Sequence, residues 1–261
     1  MSGDFWAGLR GSTPARIGLH RTGDALDTPA LLSLGAAHAL ARDAVHRPLD
    51  VESVTEQLRG LGLGEPVVVR SAAPDRRTYL ARPDLGRRPS GDLAPARGRA
   101  VDLAVVVADG LSSEAVERHA TPLLGELVTL LPGLVLASPV VATQARVALG
   151  DHVGAHLGAA LVLVLIGERP GLSSTDSLGA YLTWEPRPGL GDAARNCVSN
   201  IRPPHGLDYP AAARVLSMLV AGARRLGATG VHLKDRSGAV APGGTTDQLG
   251  HQGGSRSPDS V

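Results

Sequence analysis

The sequence predicts an α/β protein: a mainly parallel sheet flanked by helices, in a Rossmann-like arrangement, with a small helical N-terminal region. Three observations lead to this fold class. Residues 161–166 form an unbroken apolar run of the length expected for a strand that is buried on both faces. Between residues 65 and 235, apolar runs alternate with helical patterns, as they do in strand–helix–strand units. Within residues 13–63, apolar residues recur at helical spacing.

The individual elements can be placed along the chain. A first helix is predicted to begin at Thr28-Pro29, because proline suits a first helical turn, and a second covers residues 51–61, where glycines end it. Strands are predicted at residues 67–70, 101–107, 133–137, 161–166, 180–184 and 229–233. Further helices are predicted at residues 113–131, 144–157 and 210–226. The last helix has arginines in its final turn and is followed by Gly227, a typical helix end.

Composition divides the chain into four parts. Residues 1–12 are predicted to be a flexible N-terminus, 13–63 the helical region, 64–236 the α/β domain, and 237–261 a disordered tail rich in Gly, Ser, Thr and Pro. Residues 89–98 are predicted to form a flexible loop inside the α/β domain.

Composition also excludes several classes of protein. Lys plus Arg number 26 against 25 for Asp plus Glu, so no overall field attracts nucleic acid or an anionic membrane. Aromatic residues make up only 2%, too few for the stacking platforms of single-strand binders. The one cysteine, Cys197, excludes an internal disulfide and is compatible with a reducing compartment. We therefore expect a cytoplasmic protein with no membrane span and no nucleic-acid partner.

Familiar catalytic and cofactor motifs are missing from the sequence. There is no GxGxxG after the first strands of the α/β domain, and no GK[ST] phosphate loop, since the only lysine is Lys234. GxSxG and HExxH do not occur either. DxHxxG is also absent; it is the motif with which one class of cobalamin proteins supplies a histidine to cobalt. We assign no catalytic residue and no metal ligand to this chain.

Two segments leave alternative interpretations open. Residues 109–113 follow a strand and begin a helix, so their backbone N–H groups could hold an anion, whereas Ser112 could equally be only a helix cap, the commoner outcome. On a helix starting near Gln144, the glycines at 150, 154 and 158 share a face with Val147. That face meets either a neighbouring element of the same domain or a broad, flat ligand or partner subunit.

Ten short motifs, spread from residue 13 to residue 235, occur in a characteristic order. They are TPARIGL, HALARDAVH, YLARPDLGRR, VVVADGLSS, QARVALGDHVG, GERPGLSS, DSLGAYLTW, PRPG, NCVSNIRP and GVHLKD. In this order they resemble the small subunit of the ethanolamine ammonia-lyase family.

The resemblance implies an adenosylcobalamin-dependent lyase, in which homolysis of the cobalt–carbon bond starts the conversion of ethanolamine to acetaldehyde and ammonia. It also implies a hetero-oligomer, in which a barrel-shaped large subunit holds the substrate and residues 64–236 of this chain contact the cobalamin. By matching motifs, the cofactor contacts are expected at Val147, Glu168 and Cys197. Val147 would offer an apolar contact, Glu168 would accept hydrogen bonds from corrin amides, and Cys197 would pack without binding cobalt.

Two other functions fit the residues when the resemblance is set aside. One is a stand-alone α/β module that binds a nucleotide or a phosphorylated ligand at residues 109–113. The other is a structural protein whose glycine-rich helix face meets another chain. Some members of the family carry an N-terminal extension associated with packaging, so a location within a bacterial microcompartment stays open.

Overall fold

The computed structural model of the protein describes residues 5–91, 93 and 101–234. Its N-terminal part contains α1 (Phe5–Arg10), β1 (Arg21–Thr22), β2 (Ala25–Leu26), α2 (Thr28–His46) and α3 (Val51–Arg59). Helix α2 begins at the predicted residue, because the Asp27 side chain accepts a hydrogen bond from the N–H of Ala30. The predicted tail at 237–261 and most of the predicted loop at 89–98 lie outside the described residues.

The described part of the α/β domain forms a six-stranded sheet with helices on both faces. Its elements are β3 (Val67–Arg70), α4 (Arg76–Ala81), β4 (Val101–Ala108), α5 (Ser113–Thr129), β5 (Val140–Thr143), α6 (Leu149–Leu157), β6 (Ala159–Gly167), β7 (Leu178–Trp184), β8 (Arg195–Ile201) and α7 (Tyr209–Leu226). The strand order across the sheet is β3-β5-β4-β6-β7-β8.

The sheet is mixed, so the prediction of a mainly parallel, Rossmann-like sheet holds only for its first four strands. β3, β5, β4 and β6 are parallel, whereas β7 pairs antiparallel with β6, and β8 antiparallel with β7. The crossovers β4–β5 and β5–β6 contain helices, as parallel neighbours require. Only ten residues separate β6 from β7, and ten separate β7 from β8, with no α-helix between them. The chain therefore turns back on itself at both places.

Four strand assignments differ from the prediction. Residues 133–137 form only an isolated parallel bridge between Leu136 and Leu103, and the N–H of Val135 donates to the Asp102 side chain. The missed strand β5 begins only at Val140. Residues 229–233 contain a 3₁₀ turn instead of a strand, and Gly230 adopts a φ of 73° there. The second missed strand is β8, whose exposed positions are polar because it lies at the edge of the sheet.

Each face of the sheet has its own core. On the first face, α3, α5 and α7 pack against side chains such as those of Leu103, Leu163 and Leu182. On the second face, α6 packs against the alternate side chains of the same strands, including Val162 and Val164. Because both faces of β4 and β6 are covered, the buried positions 103–108 of β4 and all of β6 are apolar, which explains the continuous runs that the sequence shows.

The edges of the sheet are β3 and β8. β3 is only four residues long and pairs with β5 on one side. Its apolar residues Val67 and Val68 are 52% and 48% exposed.

Helix α6 begins at Leu149, later than the predicted start at residue 144. The cause is Asp109, which follows β4 and whose carboxylate accepts hydrogen bonds from the N–H groups of Gln144 and Ala145 at 2.8 and 2.9 Å. Gln144 has a φ of 53°, which is incompatible with a right-handed helix. The segment between β5 and α6 is therefore a turn held by Asp109.

The glycines of α6 pack against the protein's own sheet. A Cβ at Gly150 would lie 2.3 Å from Cγ2 of Val164, and a Cβ at Gly154 would lie 2.5 Å from Cγ of Pro186. Gly158 ends the helix in the left-handed conformation, with a φ of 61°. The glycine face therefore meets neighbouring elements of the same domain, and the alternative of a glycine-paved ligand surface is wrong.

A buried ion pair joins α6 to β8. Arg195 donates two hydrogen bonds to the carboxylate of Asp151, with N–O distances of 2.5 and 2.6 Å, and further bonds to Thr183 and the carbonyl of Leu190. Burial opposes ionisation of Arg195, but the hydrogen bonds and charge of Asp151 outweigh it and raise the pKa of the guanidinium. The pair ties the antiparallel half of the sheet to the parallel half.

We expect Asp151→Asn to destabilise the fold by about 3–5 kcal/mol, because it leaves the Arg195 guanidinium buried without a compensating charge. Asp192 provides a matched control: it lies 3.7 Å from the same arginine but is 93% exposed. Asp192→Asn should change the free energy of unfolding by no more than about 0.5 kcal/mol. Urea denaturation measures both values, and equal effects of the two variants would contradict the assignment.

We expect Gly150→Ala to destabilise the fold by about 1–3 kcal/mol, because the added methyl group collides with Val164 in a packed core. Gly35 is the control, since it lies in α2 and an added Cβ there meets nothing within 4 Å. Gly35→Ala should stabilise the protein by about 0.5–1 kcal/mol through helix propensity. Thermal unfolding compares the two, and a stabilising Gly150→Ala would rule out the close approach.

Candidate functional site

Glu168 stands at the carboxyl end of β6, immediately after the strand. Its backbone N–H donates to the carbonyl of Ser177 at 2.9 Å. Its Oε2 accepts hydrogen bonds from the Ser177 hydroxyl and from the N–H of Asn200. Within residues 5–91, 93 and 101–234, no donor reaches its Oε1. One carboxylate oxygen therefore fixes the side chain and leaves the other available to a ligand.

Tyr181 and Cys197 share the second face of the sheet with Glu168. The strand register pairs Val164 with Tyr181 and Tyr181 with Cys197, so these side chains form a row across β6, β7 and β8. Glu168 lies four residues beyond Val164, an even number, and so projects from the same face. Tyr181 is half-buried and Cys197 is exposed.

Gly179 lets the Glu168 carboxylate and the Tyr181 ring approach β7 closely. A Cβ at this position would lie 3.0 Å from Oε1 of Glu168 and 3.2 Å from Cε2 of Tyr181. Both distances are shorter than ordinary van der Waals contacts, so a larger residue would displace one of the two groups. The absence of a side chain here is part of the geometry of the site.

The pKa values of the Tyr181 hydroxyl and the Cys197 thiol are both raised. Burial raises the pKa of the Tyr181 hydroxyl, and the neighbouring charges of Cys197 and Glu168 add to the effect. Burial also raises the pKa of the Cys197 thiol; Glu168 raises it further, while hydrogen bonding with Tyr181 lowers it. Both groups are therefore held in their neutral, hydrogen-bond-donating forms.

Val147 lies in the turn just before α6 and is half-buried against the second core, as is Tyr181. Gly154 approaches Val162, and Gly150 approaches Val164, so α6 runs antiparallel to β6. The N-terminal end of α6, where Val147 lies, is therefore at the carboxyl end of β6, the end that also presents Glu168.

The three predicted contact residues thus lie on the second face of the sheet, and none of them is enclosed in the interior. In the described part of the chain, α6 covers this face at β4 and β6, while Cys197 on β8 stays exposed. We call the surface formed by Val147, Glu168, Tyr181 and Cys197 the open face. It combines one apolar contact with a carboxylate, a hydroxyl and a thiol.

The loop at residues 109–113 is tied to neighbouring segments of the same domain, and the N–H of Leu111 donates to the carbonyl of Gly167 at 2.9 Å. Ser112 accepts a hydrogen bond from the N–H of Ala115 and donates to the carbonyl of Thr175, so it caps α5. Asp109 pairs with Arg76 at 3.2 Å, and its carboxylate accepts hydrogen bonds from the N–H groups of Gln144 and Ala145 just after β5. The structure therefore favours the capping interpretation over the anion-binding one.

Sequence reasoning missed Gly179, Tyr181, Ser177 and Asn200. The sequence contains a partial signal for Tyr181, because a polar group among apolar neighbours is typical of a strand that is covered less on one side.

No group of three His, Cys, Asp or Glu residues in the described chain is arranged to hold a metal ion. Among the same residues, every helix falls short of the length or the apolarity that a membrane span requires.

Comparison with known proteins identifies similar chains. The family model of the ethanolamine ammonia-lyase light chain (EutC) matches residues 3–234. The ethanolamine ammonia-lyase small subunit of Rhodococcus erythropolis is 54% identical over 243 residues, covering 92% of this chain and 94% of the relative. The proteins of the same name from Azotobacter vinelandii and Ralstonia nicotianae are 52% and 51% identical; each alignment covers 88–89% of this chain and 88% of the relative.

Alkylation of Cys197 by iodoacetamide tests the electrostatics of the open face, and it is site-specific because the chain has one cysteine. The thiolate is the reacting form, so a raised pKa moves the rate profile to higher pH than that of free cysteine. We expect Glu168→Gln to shift the profile to lower pH and Tyr181→Phe to shift it to higher pH. If the pH dependence of the alkylation rate is unchanged in Glu168→Gln, the carboxylate does not act on the thiol.

Proposed function

Because the chain belongs to the ethanolamine ammonia-lyase light-chain family, we propose that it is the small subunit of an adenosylcobalamin-dependent lyase and holds the cofactor against a large subunit. The observation that carries this proposal is Glu168, with one carboxylate oxygen fixed by Ser177 and Asn200 and the other lying beside Gly179 without a donor from the described chain. A corrin ring is rimmed by amide side chains, whose N–H groups are suitable donors for that oxygen.

The residues of the open face fit such a ligand. Glu168 accepts hydrogen bonds from amide N–H groups, and its charge strengthens these bonds. The Tyr181 hydroxyl and the Cys197 thiol, both neutral because of their raised pKa values, can donate to amide carbonyl groups. Val147 adds an apolar contact at the edge of the ring. Cys197 lies exposed on the edge strand, and we give it a packing role and no bond to cobalt.

The division of labour follows from what this chain provides. When bound, adenosylcobalamin supplies the radical chemistry that deaminates ethanolamine to acetaldehyde and ammonia. The open face binds and orients the cofactor and excludes water from the side that it covers. The substrate pocket and the acid–base groups belong to the large subunit in this proposal, and no residue of this chain is assigned as catalytic.

The structure limits the alternative functions. A stand-alone module that binds a phosphorylated ligand at residues 109–113 is disfavoured, because Asp109 already takes the backbone N–H groups next to that loop. A purely structural protein would need neither a free carboxylate oxygen nor a thiol and hydroxyl beside it. The lyase subunit therefore accounts best for the open face.

The test is coexpression with a large subunit of the family, followed by titration with adenosylcobalamin and an acetaldehyde assay. The complex should deaminate ethanolamine, whereas this chain by itself should neither turn over ethanolamine nor bind cobalamin tightly. Turnover by this chain alone would refute the proposal.

In that complex, Glu168→Gln should weaken adenosylcobalamin binding by about 5-fold, because the change replaces a charge-assisted hydrogen bond with a neutral one. The amide oxygen of glutamine still accepts the bonds from Ser177 and Asn200, so the fold is retained. Glu52, which is exposed on α3, gives the matched control Glu52→Gln with unchanged affinity. Equal affinities of the two variants would remove Glu168 from the cofactor site.

A further inference from the structure

A cavity of about 410 Å³ opens at the carboxyl end of the sheet, beside the open face. Its charged lining is entirely basic: Arg42 from α2, Arg146 from the turn before α6, and Arg169 from the loop after β6, together with His38. No carboxylate lines it. Two of its arginines adjoin residues of the open face, since Arg146 precedes Val147 and Arg169 follows Glu168.

Arg146 is held in place, and the described part of the chain gives it no ionic partner. Its guanidinium lies over the ring of buried Tyr79, 4.4 Å from the ring centre, and its backbone N–H donates to the carbonyl of Gly86 at 2.8 Å. Its Nε is buried without a hydrogen-bond partner. Within the described residues, the guanidinium makes no hydrogen bond and no ion pair. A buried donor in this state is costly unless a ligand accepts from it.

The other two arginines are available as well. Arg169 is exposed and has no hydrogen bond or ion pair in the part of the chain that the structure describes. Arg42 lies 3.4 Å from Asp43, but both side chains are about two-thirds exposed. Such a surface pair contributes little, so an anion in the cavity can compete for Arg42.

The wall that α2 supplies is fixed to the domain. Arg76 donates from Nε to the carbonyl of Val45 at 2.7 Å, and Ser113 donates to the carbonyl of Arg47 at 2.9 Å. Arg47 also forms an ion pair with Glu117 on α5. The cavity is therefore a built feature between α2 and the end of the sheet.

The cavity also lies where sheets of this kind bind ligands. The chain leaves β4 for α5 on the first face and leaves β5 for α6 on the second face. Neighbouring strands whose connections diverge in this way leave a crevice at their carboxyl ends. Leu111, after β4, and Arg146, after β5, both line the cavity.

We propose that this cavity, called here the arginine cavity, is a binding site for a phosphate group. Guanidinium groups bind phosphate oxygens in a bidentate geometry, and three of them converge on the cavity with no opposing carboxylate. Arg146 is the anchor because the Tyr79 ring fixes its position before any ligand arrives.

Two sources can supply the phosphate group. One is the phosphodiester in the nucleotide tail of a cobalamin seated on the adjoining open face, and this source rests on the proposed function. The other is a free phosphate ion. The anion site itself does not depend on the cofactor assignment.

The first experiment titrates the full chain with sodium phosphate by calorimetry, with sodium chloride keeping the ionic strength constant. We expect Arg146→Gln to raise the dissociation constant of phosphate by about 10-fold and Arg169→Gln by about 3-fold. Arg169 is exposed, so its variant folds even if Arg146→Gln does not. Arg214→Gln, an exposed change on α7, removes the same charge elsewhere and should have no effect. Absence of phosphate binding, or an equal loss with Arg214→Gln, would overturn the proposal.

The second experiment distinguishes the sources in the complex with the large subunit. It compares adenosylcobalamin with adenosylcobinamide, which lacks the nucleotide tail and its phosphodiester. If the cofactor is the source, Arg146→Gln and Arg169→Gln weaken the binding of adenosylcobalamin alone. If free phosphate is the source, both corrinoids bind the variants as they bind the unaltered complex. Either result supports an anion site once the first titration has shown phosphate binding.

Discussion

The carboxylate of Asp109 organises the part of the molecule on which its surfaces depend. It follows β4, accepts the N–H groups of Gln144 and Ala145 beyond β5, and pairs with Arg76 of α4. Burial raises the pKa of this carboxyl, while the hydrogen bond from Ala145 and the charge of Arg76 oppose that change. The interaction delays the start of α6, and the resulting turn presents Arg146 and Val147. Two strands, two helices and both proposed ligand surfaces therefore adjoin one buried carboxylate.

The two surfaces beside this turn differ in charge. The open face contains Glu168, a hydroxyl and a thiol, and is suited to the amide rim of a large, uncharged ring. The arginine cavity contains only basic charged groups and is suited to a compact anion. The adjacent residues Glu168 and Arg169 project to different surfaces. A ligand with an amide-rimmed ring and a phosphodiester tail could engage both surfaces at once, so each surface would recognise one part of it.

Sequence patterns located three of the four parallel strands, β3, β4 and β6. The apolar runs of β4 and β6 and the amphipathic helices α5 and α7 are local signals, since each depends on burial along a single element. The missed strands β5 and β8 were less accessible. β5 is only four residues long, and in β8 four of the seven residues are polar and do not alternate regularly with apolar ones. Residues 133–137 are apolar but form only an isolated bridge to β4. Such outcomes depend on pairing between distant segments, which a local pattern does not contain.

The same reasoning applies to the candidate site. Val147, Glu168 and Cys197 came from motif resemblance, and the structure places them on one face. Gly179 and Tyr181 were not found, because their roles arise only when β7 lies between β6 and β8. The glycines of α6 were informative about close packing, but a sequence cannot show whether the close neighbour is a ligand or, as here, the domain's own sheet.

The short edge strand β3 affects how the isolated chain behaves. Val67 and Val68 leave an apolar surface at this edge, while Arg70 at the end of the strand accepts a hydrogen bond from the N–H of Ser90. An edge of this kind is a template for strand addition by a second molecule. In the proposed complex, a chain made in excess of the large subunit would be open to self-association through Val67 and Val68, which balanced production of the two subunits would limit.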